Sequence, residues 1–227
     1  MDKSTNDVLL AFSSGLDSVF QAIKLKEAGY HVYLYFVKNI NRYENNLAYK
    51  FAKPIAEKLG LELIEANFKY GKKNEKYSKT WPENPIKNQL IYASMIDYCY
   101  EHGWNKISAG DDFDLKLKDA VPGINLTDTE EVTKTFLKCM KKTVKNLEFI
   151  PISKGQDKSI RLQTLIDYGL EDLYYSCVQS GRFNQSFHQK SKQKYQVKLF
   201  ANNCGCFCRK CAMHNLLMHY KGIQQFP

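Results

Sequence analysis

Apolar and polar positions follow two alternating periods along the first 170 residues. Residues 7–12 (DVLLAF) are a short apolar run that stops at Ser13-Ser14-Gly15, the pattern of a buried strand entering a turn. From 18 to 28 the apolar positions Val19, Phe20, Ala22, Ile23 and Leu25 keep a helical period, and Gly29 ends it. Residues 31–37 are aromatic and β-branched and predict a second strand. Residues 44–59 predict a helix closed by Gly60, with Pro54 marking a kink or a break. Residues 61–67 predict a third strand. Strand, helix, strand, helix, strand at this spacing predicts right-handed βαβ units and a parallel sheet.

The pattern then weakens. Residues 68–83 are polar, lysine-rich and aromatic without a period, which predicts a loop. Residues 88–102 predict a strong helix ended by Gly103, and 106–109 a short strand running into Gly110-Asp111-Asp112. A loop is expected over 119–125, around Pro122-Gly123. A helix over 128–145, capped by Thr127 or Asp128, a strand over 147–152 and a helix over 157–168, ended by Gly169, complete this part. The sheet-forming domain is therefore expected over 1–170. The remainder, 171–227, differs: 181–196 is polar and has no apolar period, a cysteine cluster follows, and a helix is expected at about 214–220. No internal repeat is present.

Composition narrows the class. A chain of 227 residues suits one domain with a small appendage, and 44% hydrophobic with 25% charged residues excludes disorder, collagen and coiled coil as whole-chain readings. The longest apolar runs, 8–12 and 32–37, fall far short of the roughly 20 residues of a membrane span. The start, MDKSTND, has no signal-peptide layout, so the expected location is cytoplasmic with no membrane partner. The formal net charge of +9 favours an anionic partner. Arginine, the usual base-reading residue, occurs only at Arg42, Arg161, Arg182 and Arg209, so sequence-specific nucleic-acid binding is weakly supported and left open.

The first chemical motif is Phe12-Ser13-Ser14-Gly15-Leu16-Asp17-Ser18, between a strand and a helix. Small residues let backbone N–H groups approach a phosphate, the helix dipole adds to the attraction, and the serine hydroxyls add donors. An Asp inside an anion-binding loop makes sense where it holds Mg²⁺ or orients the loop. No Gly-Lys-Ser/Thr follows, so this is not a Walker loop.

The second motif is Cys204-Gly205-Cys206-Phe207-Cys208-Arg209-Lys210-Cys211. In a reducing compartment such a cluster reads as metal before disulfide. Four thiolates around Zn²⁺ make a closed structural site, and Cys208-x-x-Cys211 grips one ion from a single turn. The expected ligands are Cys177, Cys204, Cys208 and Cys211, with Cys206 as the alternative; His188 and His214 are weaker candidates. Cys99 and Cys139, each alone in a helical stretch, are expected as buried small hydrophobes.

The loop closely resembles the S-G-G-x-D-S signature of the PP-loop ATP pyrophosphatases, with Ser14 where the first Gly is usual. A requirement for φ > 0 at that position would strain a serine. With the C-terminal cysteine site and the length, the chain resembles the 7-cyano-7-deazaguanine synthase (QueC) family over essentially its whole extent. Asp157-Lys158, with Gly169 twelve residues after Asp157, matches that family's D-K…G helix, and Asn88 stands where it has P-G-R-N. Three features depart: Lys87 replaces an Arg, a Y-P-D-C-R stretch has become Leu126-Thr127-Asp128-Thr129-Glu130, and the cysteine run carries one extra residue.

The resemblance implies an α/β fold, a doubly wound parallel sheet of the Rossmann-like HUP type with a small C-terminal zinc-binding appendage. It implies a carbon–nitrogen ligase that uses ATP, Mg²⁺ and ammonia to convert 7-carboxy-7-deazaguanine into the nitrile, with Zn²⁺ as a structural ion. It implies Asp17, Ser18 and Lys158 as catalytic residues and 12–18 as the ATP loop. It places the deazapurine near Lys87, Asn88, Gly110, Asp111, Asp112 and Asp128, and its members often form homodimers, although no exposed apolar stripe in this chain argues for one. The altered substrate stretch also admits a different adenylating enzyme that modifies tRNA, DNA or another acceptor, and the Ser14 change a binding module with a degenerate ATP site.

Overall fold

The computed structural model describes residues 6–38, 45–67, 87–110, 130–142, 144–152, 156–171 and 173–174, with only the backbone at 45–47, 87 and 130–133. The elements run β1 (Asp7–Ala11), α1 (Leu16–Glu27), β2 (His31–Lys38), α2 (Asn45–Leu59), β3 (Glu62–Asn67), α3 (Lys87–His102), β4 (Lys106–Ala109), α4 (Glu130–Met140), β5 (Glu148–Phe149) and α5 (Lys158–Asp167). The five strands form one sheet in the order β3-β2-β1-β4-β5, and every pair is parallel.

Successive side chains of a strand point to opposite faces, and here both faces are covered. Val8, Leu10 and Phe12 join Val32, Leu34 and Phe36 in a core closed by α1, α2 and α5. Leu9 joins Tyr35, Val37 and Ile107 in a second core, closed by Tyr92, Met95, Ile96 and Cys99 of α3 and by Leu137 of α4. This is why β1 and β2 read as nearly continuous apolar runs. The first core also takes in Leu170 and Tyr174. The chain winds from β1 outward through β2 and β3, then crosses to the other side of β1 with β4. The switch point of the sheet lies between the carboxyl ends of β1 and β4, where Ala11 pairs with Ala109.

Four expectations are corrected. Of the kink or break expected at Pro54, the break does not occur, since α2 runs through it as one helix. Proline inside a helix costs about 3 kcal/mol, but the Ala52, Ile55, Ala56 and Leu59 face is buried in the first core and holds the helix together. The helix expected over 128–145 ends at Met140. The chain turns there, Asn146 takes a left-handed φ of 60°, and Val144 and Leu147 are buried in the second core. The strand expected over 147–152 is only Glu148–Phe149, an edge strand paired with Lys106 and Ile107. Cys139 is exposed, since Leu137, with Phe136 and Met140, forms the inward face of α4; Cys99 is buried as expected. The loop expectations for 68–83 and 119–125 lie outside the described residues, as do the tail helix and the stretch 181–196. Among the described residues no helix is long and apolar enough to cross a membrane.

Candidate functional site

The β1–α1 loop sits at the switch point and is built almost wholly by its own residues. Phe12 and Leu16 bury their side chains, and the Phe12 N–H donates to the Tyr35 carbonyl at 3.0 Å. Ser14 is fully buried with φ 60°, the left-handed conformation that a glycine would adopt without strain. Its hydroxyl donates to the Ala48 carbonyl of α2 at 2.8 Å, an interaction that glycine lacks. Serine at this position thus exchanges backbone ease for a tie to the neighbouring helix.

Ser18 closes the loop from inside. Its hydroxyl donates to the Gly15 carbonyl at 3.0 Å, accepts from the Ser13 N–H at 3.3 Å and lies 3.2 Å from the Ser13 hydroxyl. Gly15 is the N-cap of α1, and among the described residues no side chain caps that helix. The first-turn N–H groups of a twelve-residue helix therefore face the switch point with the positive end of its dipole. Gly110, just past β4, is packed onto this turn. A Cβ there would stand 2.5 Å from the Asp17 carbonyl carbon and 2.6 Å from the Ser18 nitrogen, so only glycine fits.

Asp17 faces α5. Its Oδ1 accepts from Lys158 Nζ and from Arg161 Nη1, the latter at 2.6 Å. Lys158 and Arg161 lie three residues apart and so share one face of α5. Asp157 caps α5 by accepting the Ser159 N–H at 2.7 Å. The Ser159 side chain, then that backbone bond, with Arg161 and Lys158 nearby, hold the Asp157 carboxyl below its ordinary pKa. Among the described residues, Asp17 and Asp157 stand beside Lys158 and Arg161, and an incoming anion meets the N-terminus of α1 and whichever cation turns toward it.

One turn further along α1, Gln21 is fully buried. Its Nε2 donates to Ser108 Oγ at 2.7 Å and to the Ile150 carbonyl at 3.0 Å, and Ser108 Oγ donates to that carbonyl at 2.6 Å. This polar tie fixes α1 to the ends of β4 and β5 and so holds Gly110 against the loop. Gln21, Ser108 and Arg161 are residues that motif reasoning passed over. Arg161 carried one signal: it is one of four arginines in a chain whose positive charge is otherwise lysine.

The structure brings together 12–18, Gly110 and Lys158 of the expected site. Asn88 lies in the first turn of α3, and Lys87 begins that helix. Asp111, Asp112, Asp128 and the cysteines Cys177, Cys204, Cys206, Cys208 and Cys211 lie outside the described residues, as do His188 and His214. Among the described residues no group of three or more His, Cys, Asp or Glu is placed to hold a metal ion.

No protein-family profile matches the chain. It is similar to the tRNA-specific 2-thiouridylase MnmA of Levilactobacillus brevis, with 27% identity over 125 residues, 48% of this chain and 33% of that protein. It is similar to MnmA of Lactiplantibacillus plantarum at 26% over the same length, 48% and 33% of the two chains. The match spans about a third of the length of these relatives. In structure it is similar to the U34-tRNA thiolase NcsA of Methanococcus maripaludis, solved with its [4Fe-4S] cluster, at a TM-score of 0.51 and 18% identity over 84% of this chain and 68% of that one. That is a likeness of fold. The strand order, the loop and the sequence match together support the PP-loop ATP pyrophosphatase superfamily, a level coarser than any one family within it.

Proposed function

We propose that the chain binds ATP at the β1–α1 loop and transfers its adenylyl group to an acceptor, with release of pyrophosphate. The observation that carries this reading is the N-terminus of α1, without a side-chain cap among the described residues and set at the switch point against Gly110. Backbone N–H groups and a helix dipole held there receive phosphate without reorganising, which is how charge on a departing pyrophosphate is stabilised. An acceptor oxygen forms a bond to the α-phosphorus, the bond from that phosphorus to the bridging oxygen of the β-phosphate breaks, and its electron pair leaves with pyrophosphate. Lys158, its side chain 27% exposed beside the loop, is the cation we assign to that charge. Asp17 already carries two cations, so Mg²⁺ suits the phosphates better than Asp17 alone, and no step here depends on it.

For the acceptor we take the QueC-like reading: the carboxylate of 7-carboxy-7-deazaguanine is adenylated, and ammonia displaces AMP. What supports it is the match of Asp157-Lys158…Gly169 and Asn88 to that family's pattern, together with the cysteine cluster as a structural zinc site. A second reading, a tRNA-modifying enzyme on the same scaffold, is favoured by the similarity to MnmA and by the +9 charge. The test is a mass-spectrometric assay with ATP, Mg²⁺ and ammonium plus either 7-carboxy-7-deazaguanine or unmodified tRNA. Amide or nitrile formation supports the first reading. AMP release stimulated only by tRNA supports the second. No AMP with either acceptor refutes both. Zinc is tested separately by metal analysis of the full chain: about one ion per chain is expected, and none refutes the cysteine reading.

A further inference from the structure

Asp17 Oδ1 receives two cations where one would neutralise it, and the two differ in exposure. The Arg161 side chain is 1% exposed, whereas that of Lys158 is 27% exposed. The Arg161 guanidinium carbon stands 5.7 Å from the centroid of the Phe20 ring, and Phe20 is fully buried on the same helix as Asp17. A guanidinium keeps its charge at any working pH, and a buried one is tolerated only beside a fixed counter-ion. A lysine on a flexible, partly exposed stem changes partners at little cost.

From this asymmetry we infer that Arg161 is a positioning residue. It stays on Asp17 as the permanent counter-ion and so releases Lys158 to the anion in the β1–α1 loop. This rests on the ATP reading above, where that anion is the triphosphate. Arg161 then acts through Lys158 and does not itself touch the nucleotide. Without Arg161, Lys158 is the cation left on Asp17, and the pull of an uncompensated carboxylate keeps it there.

The test is calorimetric titration of ATP with Mg²⁺ into wild type, Lys158→Met, Arg161→Met and the double variant, with melting temperatures measured on the same proteins. Lys158→Met is expected to weaken ATP binding about tenfold or more, as for a lost charge-assisted contact, with little change in melting temperature. Arg161→Met is expected to weaken it by a similar factor although Lys158 is present, and the double variant to be no weaker than either. A purely structural Arg161 would lower the melting temperature and leave the contribution of Lys158 intact, so the two losses would add. Additive losses, or Arg161→Met binding ATP as wild type does, overturn the inference alone. Wild type that binds no ATP overturns the nucleotide reading and this inference with it. Should Arg161→Met not fold, Arg161→Gln, which keeps a hydrogen bond to Asp17 without the charge, takes its place in the same cycle.

Discussion

Replacing Ser14 separates two opposing contributions at the centre of the loop. Its φ of 60° costs an L-residue about 1–2 kcal/mol. Its buried hydroxyl bond to Ala48, 2.8 Å long, contributes about 0.5–1.5 kcal/mol. Ser14→Ala keeps the Cβ, and therefore the strain, and loses the bond, so a loss of about 1 kcal/mol is expected. Ser14→Gly loses the same bond but removes the strain; the greater freedom of glycine in the unfolded chain offsets about 0.4–1 kcal/mol of that gain. The glycine variant is therefore expected to be more stable than the alanine variant by about 0.5–1 kcal/mol. For a chain of this size that is a difference of about 1–4 °C in melting temperature. Paired urea and thermal melts of the three proteins read it directly, with an unchanged urea slope as the control. An alanine variant as stable as the glycine variant would refute the claim that strain is stored at Ser14.

Other expectations follow from the same geometry. Gly110→Ala places a methyl group inside the first turn of α1 and is expected to cost about 1–3 kcal/mol by overpacking; adenylation should fall further than stability does, and a variant of normal activity would contradict the close approach. Asp157→Ala removes the cap of α5 and should cost about 1 kcal/mol at neutral pH. Because folding lowers the Asp157 pKa, its contribution is present above the unfolded value and is lost as pH falls through the folded one. The gap between variant and wild type should therefore close on acidification, and a gap that persists at low pH would count against the cap. Burial pushes the Cys99 thiol up to about 12, so a thiol reagent at pH 8 should label Cys139 in the native protein and reach Cys99 only after unfolding. Peptide mapping that finds Cys99 labelled first would contradict the packing of α3.

The parts of the site that are contiguous in sequence were legible there. The strand, loop and helix from Asp7 to Glu27 are a local pattern, and the apolar runs of β1 and β2 announced a sheet covered on both faces. The φ at Ser14 matched the strain that its place in the motif implied. What depends on residues far apart was not legible. Gly110 read as a substrate contact, and periodicity gave no sign that its lack of a side chain also lets the end of β4 approach α1. Helical periodicity does not reveal an arginine pointing inward, and only the packing of α5 against α1 brings Arg161 onto Asp17. Pro54 and Cys139 show the same limit: a local rule set one expectation, and the burial of neighbouring side chains decided the outcome.

The central claim is that the β1–α1 loop directs cleavage of ATP between its α- and β-phosphates. The most direct measurement is the product pair formed from ATP and Mg²⁺ by wild type and by Asp17→Ala, with 7-carboxy-7-deazaguanine plus ammonium or with tRNA as acceptor. AMP and pyrophosphate from wild type, absent from a folded Asp17→Ala variant, are the expected result. ADP and phosphate from wild type, or equal AMP from the variant, would contradict it.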